Sequence, residues 1–474
     1  MAGKSASIYS VKIAVATSEG GDQDANYLPD ISQAGSFVGM ATTTATVDAF
    51  QGDEAFHLED QGRRTPGENK PVAIGVVNGS GSTKFGAADG EFIRAMYPDE
   101  ISVQHRFRTP DGASPTASGF GKILNSSMGL YSPTAASVTC SVDAASASQF
   151  KIADGDETHL KLGAPVRCYT EASNTATFVH QYSFITEISA ADGGNRTITV
   201  HPQFDHTPGV DDVIQLCYAF YPVVGTSDAN VANDVHAVFD MGGTGSGATG
   251  ASVRRIASGC RCSGFSITND NAGASLSMSL RPMVMLQDDA NADCGAVSEP
   301  AGKLLQHRYG CSVDLAADHS GVASGTAASL ARSYLPNFDH SIEVSFETAP
   351  GTPETRGVVR GASHEIHNAT CSVSVTTENN ETLQRLISND EMRTLILGFG
   401  PGGSGATNKN GGAFIIKNAT RSDGSANPSA GDGSRIQQVT ALRAVSDFNN
   451  YAGSPTGSEL NLASAPFILV LPKV

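Results

Sequence analysis

The chain has 474 residues, enough for two or three domains, because single hydrophobic cores stop growing at roughly 250–300 residues. Only 17% of residues are charged and 39% are apolar, which excludes the highly charged composition of a disordered chain; the 51 glycines point to many tight turns. The net charge of −17, from 31 basic and 48 acidic residues, argues against gripping nucleic acid by its phosphates or lying on a membrane surface, and the densest basic pairs are only Arg63-Arg64 and Arg254-Arg255.

The acidic excess suits a wall along which DNA slides without sticking, and it equally suits ordinary solubility. The cysteines are Cys140, Cys168, Cys217, Cys260, Cys262, Cys294, Cys311 and Cys371, and none forms CxxC, so a zinc ribbon or a thioredoxin-type site is not expected. Cys260 and Cys262 fall on one face of a strand, as buried free thiols or as half of a metal site. Met1 to Ser18 lacks an unbroken apolar core, and no stretch nears about 18 consecutive apolar residues. Folding in a cytoplasm, with no membrane span, is the expectation.

The first element alternates, with Tyr9, Val11, Ile13 and Val15 on one face and Ser10, Lys12, Ala14 and Ala16 on the other, which predicts a half-buried strand. Residues 36–50 read as extended. Residues 51–70 are polar and read as a long exposed loop or hairpin tip. Pro71 to Val77 and Ile101, Val103, His105 and Phe107 give further strands. A short helix is predicted next, with Ser114 as cap, Pro115 at its first position, Phe120, Ile123, Leu124 and Met128 on one face, and Gly129 at its end.

Residues 132–222 read as a separate small β-barrel of four or five strands without a helix. Phe150-Lys151-Ile152 opens one strand, and Leu160, Leu162 and Gly163 lead into Val166 and Cys168. Tyr182, Phe184, Ile185 and Ile188 precede a turn at Asp192-Gly193-Gly194-Asn195; Ile198 and Val200 follow, then Val213 to Phe220. A hairpin is predicted from Cys260–Ile267 and Leu276–Leu280, flanking the turn Asn269 to Gly273. Residues 287–340 read as a mixed connection with a possible helical turn at Leu304-Leu305. Ile342, Val344 and Phe346 point inward and Glu343, Ser345 and Glu347 outward; Cys371, Val373 and Val375 make a second strand. A second helix is predicted from Asn380 through Leu383, Leu386 and Ile387, restarting at the capping box Ser388/Glu391 before Leu395 and Ile396. Phe414 to Ile416, Ile436 to Val445 and Phe467 to Leu471 close the chain as strands. The order strand, helix, glycine-rich interruption, strands thus occurs twice, near 101–286 and near 371–471, which suggests an internal duplication.

Signals of chemistry fail on context. Gly245 to Gly250 spells GxGxxG, but the following Ser252 to Ile256 reads as extended, whereas a dinucleotide site needs a helix there. Gly121-Lys122 lacks the upstream glycine of a P-loop. His364-Glu-Ile-His367 is one residue short of HExxH and sits in a strand or loop. The adjacent pairs Asp211-Asp212 and Asp288-Asp289 lie on predicted loops, and nothing selects two carboxylates across a sugar. No catalytic, cofactor-binding or metal-binding residue is therefore assigned, no cofactor is expected, and the chain is read as a non-enzyme.

The arrangement resembles the tail-tube proteins of tailed bacteriophages, of the large, duplicated kind. The resemblance rests on the strand and short helix at Ile101 to Gly129, the barrel with Phe150-Lys151-Ile152 and Leu162-Gly163, the hairpin Ser263 to Leu280, and the strands Ile342 to Val375. It implies a mainly β fold: two β-sandwich or barrel domains, each with a short helix, plus an inserted small β-barrel. The first would be 1–131 with 223–290, the inserted barrel 132–222 on the outer surface, and the second 291–474. Such proteins form rings stacked around the tape-measure protein in the virion tail, assembled in the host cytoplasm, with DNA later passing through the lumen without specific binding. Two such domains in one chain imply trimeric rings with pseudo-sixfold symmetry, meeting tail terminator and baseplate or tip proteins at the ends. Gln51 to Lys70 is the candidate loop for ring-to-ring contact, and deleting 55–68 should leave a folded protein that forms no tubes. The alternatives are another virion β-protein (a decoration, baseplate or fibre protein) with 132–222 as a carbohydrate- or receptor-binding module, and a β-rich polysaccharide hydrolase.

Overall fold

A computed structural model describes residues 8–16, 38–39, 69–73, 94–98, 101–110, 114–169, 182–204, 206–223, 228–241, 253–270, 273–281, 284–288, 302–304, 312–317, 333–335, 339–349, 365–378, 392–399, 412–422, 428–430, 436–445 and 457–473. Within them the chain is mainly β. The loop at 51–68, the GxGxxG loop, His364, Cys294, Cys311 and the predicted helix at 380–391 lie outside the described residues.

In chain order the strands begin with β1 (Ile8–Val15), β2 (Val38–Gly39), β3 (Asn69–Ala73), β4 (Arg94–Pro98), β5 (Ile101–Arg106) and β6 (Arg108–Pro110). Helix α1 (Gly119–Asn125) precedes β7 (Met128–Tyr131), β8 (Ser137–Thr139), β9 (Gln149–Ala153), β10 (Pro165–Tyr169), β11 (Tyr182–Ile188), β12 (Asn195–His201), β13 (Val213–Pro222) and β14 (Val235–Met241). Then come β15 (Val253–Asp270), β16 (Gly273–Arg281), β17 (Val284–Asp288), β18 (Gly302–Leu304), β19 (Ser312–Ala317), β20 (Ser333–Leu335), β21 (Asp339–Ala349) and β22 (Glu365–Glu378). The chain closes with β23 (Arg393–Phe399), β24 (Gly412–Arg421), β25 (Pro428–Ala430), β26 (Ile436–Ala444), α2 (Ser458–Ser464) and β27 (Phe467–Pro472).

Long strands form the first layer, in the order β5-β16-β15-β21-β22-β26 and all antiparallel. The predicted hairpin is present, with Phe265 opposite Met278, Ile267 opposite Leu276 and Asp270 opposite Gly273. The alternation at 342–346 also holds: Ile342, Val344 and Phe346 are buried, while Glu343 and Ser345 are exposed. At the end of β26 the sheet passes to β24, which pairs β23 on one edge and β27 on the other; β27 continues to β13 and β13 to β7. The N-terminal half of β15 joins a second ladder, β2-β1-β14-β15-β17.

The second layer, β7-β13-β27-β24-β23, is buried on both faces. Phe414, Ile416, Phe467, Leu469 and Leu471 belong to a core shared with the first layer and α1. Their neighbours Ala413, Ile415, Ile468 and Val470 belong to a second core. This explains the unbroken apolar runs Phe414 to Ile416 and Phe467 to Leu471, since a strand covered on both sides cannot alternate with polar residues.

The second core is the interior of a small barrel. Its order is β8-β13-β10-β11-β12-β9, and it closes where Val142 bridges Lys151 and Ser141 N–H donates to Lys151 O at 2.9 Å. β13 serves both layers: residues 213–216 run in the barrel and 217–222 in the second layer. The turn at Asp192 to Asn195 forms as predicted, with Gly193 and Gly194 at φ 59° and 81°, the backbone that favours Asp-Gly and Gly-Gly in two-residue hairpins. The barrel is not wholly free of helix, because Asp156–His159 makes one 3-10 turn.

Several local expectations are corrected. The helix predicted from Ser114 to Gly129 divides into a 3-10 turn at Pro115–Ala117 and α1, whose cap is Ser118: its Oγ accepts from Gly121 N–H at 3.3 Å. Gly121 is required because a Cβ there would lie 2.0 Å from Pro115 O. α1 stops early because Ser126 Oγ donates to Ile123 O at 2.6 Å and takes up a helix carbonyl, so Met128 and Gly129 enter β7. Leu395 and Ile396 belong to β23 instead of a helix, and both are buried, one in each core. Leu304 is in a strand instead of a helical turn. Ala14 and Ala16, placed outward by alternation, are buried, so β1 is covered on both sides there.

Candidate functional site

The outer face of the first layer is the most regular chemical surface among the described residues. Beneath it, Ile101, Val103, Phe265, Ile267, Leu276, Met278, Leu280, Ile342, Val344, Val373 and Val375 fill the core. Period-two alternation then sends the intervening residues outward, and these are hydroxyls almost throughout. Three cross-strand rows follow from the register. One runs Ser102, Ser279, Gly264, Ser345, Thr370. The next is Ser277, Ser266, Glu343, Ser372, Arg443. The third is Ser275, Thr268, Ser341, Ser374, Ala441. Neighbouring rows are two residues apart along each strand, and strands lie about 4.7–4.9 Å apart, so the hydroxyls form a close grid.

Thr268, Glu343, Ser345, Thr370, Ser372 and Arg443 are exposed, and the remaining grid hydroxyls are half-buried. The hydroxyls make only long contacts with their own sheet: Ser102 Oγ to Ser277 Oγ at 3.4 Å, Ser275 Oγ to Thr268 O at 3.5 Å and Thr370 Oγ1 to Ser345 O at 3.5 Å. Bonds that long are weak, which leaves the hydroxyls to water or to a passing partner. On β5 the second and third rows continue to the register positions of Gln104 and Arg106, so the charged positions of the three rows are Glu343, Arg443 and Arg106. Gly264 interrupts its row where β15 bulges, because a Cβ there would lie 2.7 Å from Val344 O. Such a surface offers many weak contacts and no strong one.

The scaffold behind the grid is fixed by buried polar groups. Asp234 Oδ1 accepts from Arg261 Nε at 2.5 Å, with Asp234 fully buried. Lys417, also fully buried, donates from Nζ to Leu462 O at 2.8 Å and Ala463 O at 2.7 Å, and sits 5.2 Å from the Phe184 ring centroid. The C-terminal carbonyls of α2 and the ring face both favour a cation. Asp228 Oδ2 accepts from Tyr221 Oη at 3.0 Å and from Asn461 Nδ2 at 2.9 Å, tying α2 to β13. Gly163, at φ 77°, lets the barrel approach α2, since a Cβ would lie 2.6 Å from Ala463 Cα. No local sequence pattern marks these groups; apart from Tyr221 and Asp228, which are seven residues apart, the contacts join positions tens to hundreds of residues apart.

Catalytic arrangements fare differently. Cys168 Sγ lies 3.6 Å from His206 Nε2, and Asp212 Oδ2 lies 3.4 Å from the same nitrogen. A nucleophile relay needs one partner on each ring nitrogen, so this cluster does not activate Cys168. The six described cysteines are buried and form no disulfide. Burial pushes the Cys140 and Cys217 thiols up to about 12, aided at Cys140 by the nearby Asp212 carboxylate, which is opposite to the shift of a reactive thiol. Cys260 and Cys262 are both buried in the core of β15. Residues 253–256, after the GxGxxG loop, are strand, so no helix is there to meet a pyrophosphate. His367 lies on β22, where HExxH spacing has no helical face to use. Among the described residues no group of three His, Cys, Asp or Glu is arranged to hold a metal ion, and no helix is long and apolar enough to cross a membrane.

No protein-family model matches the chain, and no curated protein matches it.

Proposed function

We propose that the chain is a structural virion protein, the major tail-tube subunit of a tailed bacteriophage, with its hydroxyl grid turned toward the lumen. One observation carries the reading: the order of layers. The grid lies on one side of the first core, the doubly buried second layer follows, and the small barrel lies beyond it. If sheets of neighbouring copies close into a cylinder, one side of this stack becomes the bore and the other the outside. The grid suits the bore, because a surface mostly of hydroxyls with few scattered charges lacks the clustered cations that would trap a polyanion, and the chain's net charge of −17 opposes tight DNA binding elsewhere. The barrel then decorates the outer surface.

In this reading the tube domains are 1–131 with 223–290 and 291–474, and the insertion 132–222 carries the barrel and lends its last residues, 217–222, to the second layer. Lateral contacts close a ring, trimeric with pseudo-sixfold symmetry, and axial contacts stack rings into a tube around the tape-measure protein. Tail terminator and tip or baseplate proteins cap the ends, in the virion tail. Electron microscopy of the purified protein tests this: hollow cylinders of uniform diameter are expected, and single particles at every concentration and salt condition would refute it.

A further inference from the structure

Helix α2 is seven residues long and no side chain caps its first turn, so it is too short to hold its shape alone and forms only where it docks. Three separate parts of the chain receive it. From the barrel, Leu162 N–H donates to Glu459 Oε1 at 3.0 Å, and Gly163 lies against Ala463. From the link after β13, Asp228 accepts from Asn461 Nδ2. From β24, Lys417 takes up the carbonyls at the end of the helix: its Nζ donates to Leu462 O and Ala463 O, and its backbone N–H donates to Pro466 O at 3.2 Å. The same ammonium sits over the ring of Phe184 on the barrel strand β11. Lys417 therefore meets α2, the barrel and the second layer at one fully buried point.

We propose that α2 is a strap that fastens the barrel to the second layer in an all-or-none manner, with Lys417 as its pin. The inference goes beyond the tube reading and stands whether or not the chain forms tubes. A buried ammonium needs acceptors or water. If α2 lifts while the barrel stays, the Lys417 Nζ loses two helix carbonyls yet remains covered by Phe184. If the barrel lifts while α2 stays, the ring face is lost and Glu459 loses the Leu162 N–H. Both half-open states are disfavoured against a closed state and a fully open one in which water reaches the ammonium. An apolar side chain at 417 sets no such rule, because α2 could then peel away by degrees. β13 runs from the barrel into the second layer, so the barrel stays tethered when the strap opens.

Native-state exchange on the full chain tests the strap with two kinds of reporter. The amides of Asn461 and Lys417, bonded to Gly457 O and Pro466 O, report on α2. The thiol of Cys217, fully buried where β13 passes from the barrel to the second layer, reports on the seam through its labelling rate, read by peptide mass. The Val200 amide, bonded to Ser148 O inside the barrel, is the control. In the wild-type protein the α2 amides and Cys217 should give one common opening constant, at least about tenfold larger than that of Val200. Different constants for α2 and Cys217, or constants equal to that of Val200, overturn the proposal. Lys417→Met keeps the bulk and removes the charge. It should speed Asn461 exchange at least about tenfold and leave Cys217 labelling unchanged; if the two still move together, Lys417 is not the pin. Should Lys417→Met not fold, Glu459→Ala decides, because Glu459 is half-buried and cuts only the link to Leu162. A coupled strap then opens more at Asn461, Lys417 and Cys217 by one factor, whereas a change confined to Leu162 overturns the proposal.

Discussion

Asp234 and Arg261 show what a single buried pair contributes. Breaking such a pair leaves one charge uncompensated in the core, at a cost of about 3–5 kcal/mol. Asp234→Ala should lower the urea unfolding free energy by about that amount, and a loss no larger than that of an exposed control such as Glu343→Ala would contradict the assignment. The thiols give a pH prediction. In the fold Cys140 and Cys217 hold their protons up to about 12, whereas their ordinary value is 9.0. Burial likewise raises Tyr131, Tyr182 and Tyr221. A raised acid pKa means that the folded state binds its proton more tightly. This contribution is complete below the unfolded value and falls as pH rises from about 9 toward 12. The urea midpoint should be flat between neutrality and the unfolded thiol range and drop above it; a midpoint that rises there would be the wrong sign.

Elements with one wet face were legible in the sequence, and elements without one were not. β21 and β22 alternate hydroxyl or acid against Ile, Val, Phe and Cys, so both their existence and their inward faces could be read directly. The hairpin β15–β16 was equally plain from its turn residues. β23 failed the same test: Leu395, Ile396 and Leu397 are all buried, and a short apolar run reads as helix or strand alike. α2 was missed because it has no side-chain cap and buries only Leu462 and Ala463, which leaves no apolar face to read, and its place is set by Lys417, Asp228 and Gly163 from distant parts of the chain. The hydroxyl grid was half legible: each strand's serines were visible, but the rows needed the register, and the bulge at Gly264 shifts it by one residue. That bulge gives a test at this scale. Gly264→Ala places a methyl 2.7 Å from Val344 O, backbone against backbone, so strands β15 and β21 must part. A loss of about 1–3 kcal/mol in unfolding free energy is expected, typical of overpacking; a neutral substitution would mean that the strands have room.

At the scale of the whole molecule, the account rests on a stack with one hydroxyl face and one barrel face, closed into a cylinder by neighbouring copies. The layer order assigns opposite fates to residues on the two sides. Ser345 and Ser372 are exposed on the grid, and Val210 is half exposed at the rim of the barrel. Placing single cysteines at these sites, with Cys294 and Cys311 replaced by Ser and the six described thiols buried, converts the layer order into an accessibility measurement. A small maleimide enters a tube, and a maleimide joined to a bulky polymer does not. The decisive comparison is Ser345→Cys in assembled cylinders. The small reagent should label it as in the unassembled protein, and the bulky one should leave it unlabelled while still labelling Val210→Cys; labelling of Ser345→Cys by the bulky reagent in intact cylinders would put the grid on the outside and contradict the account.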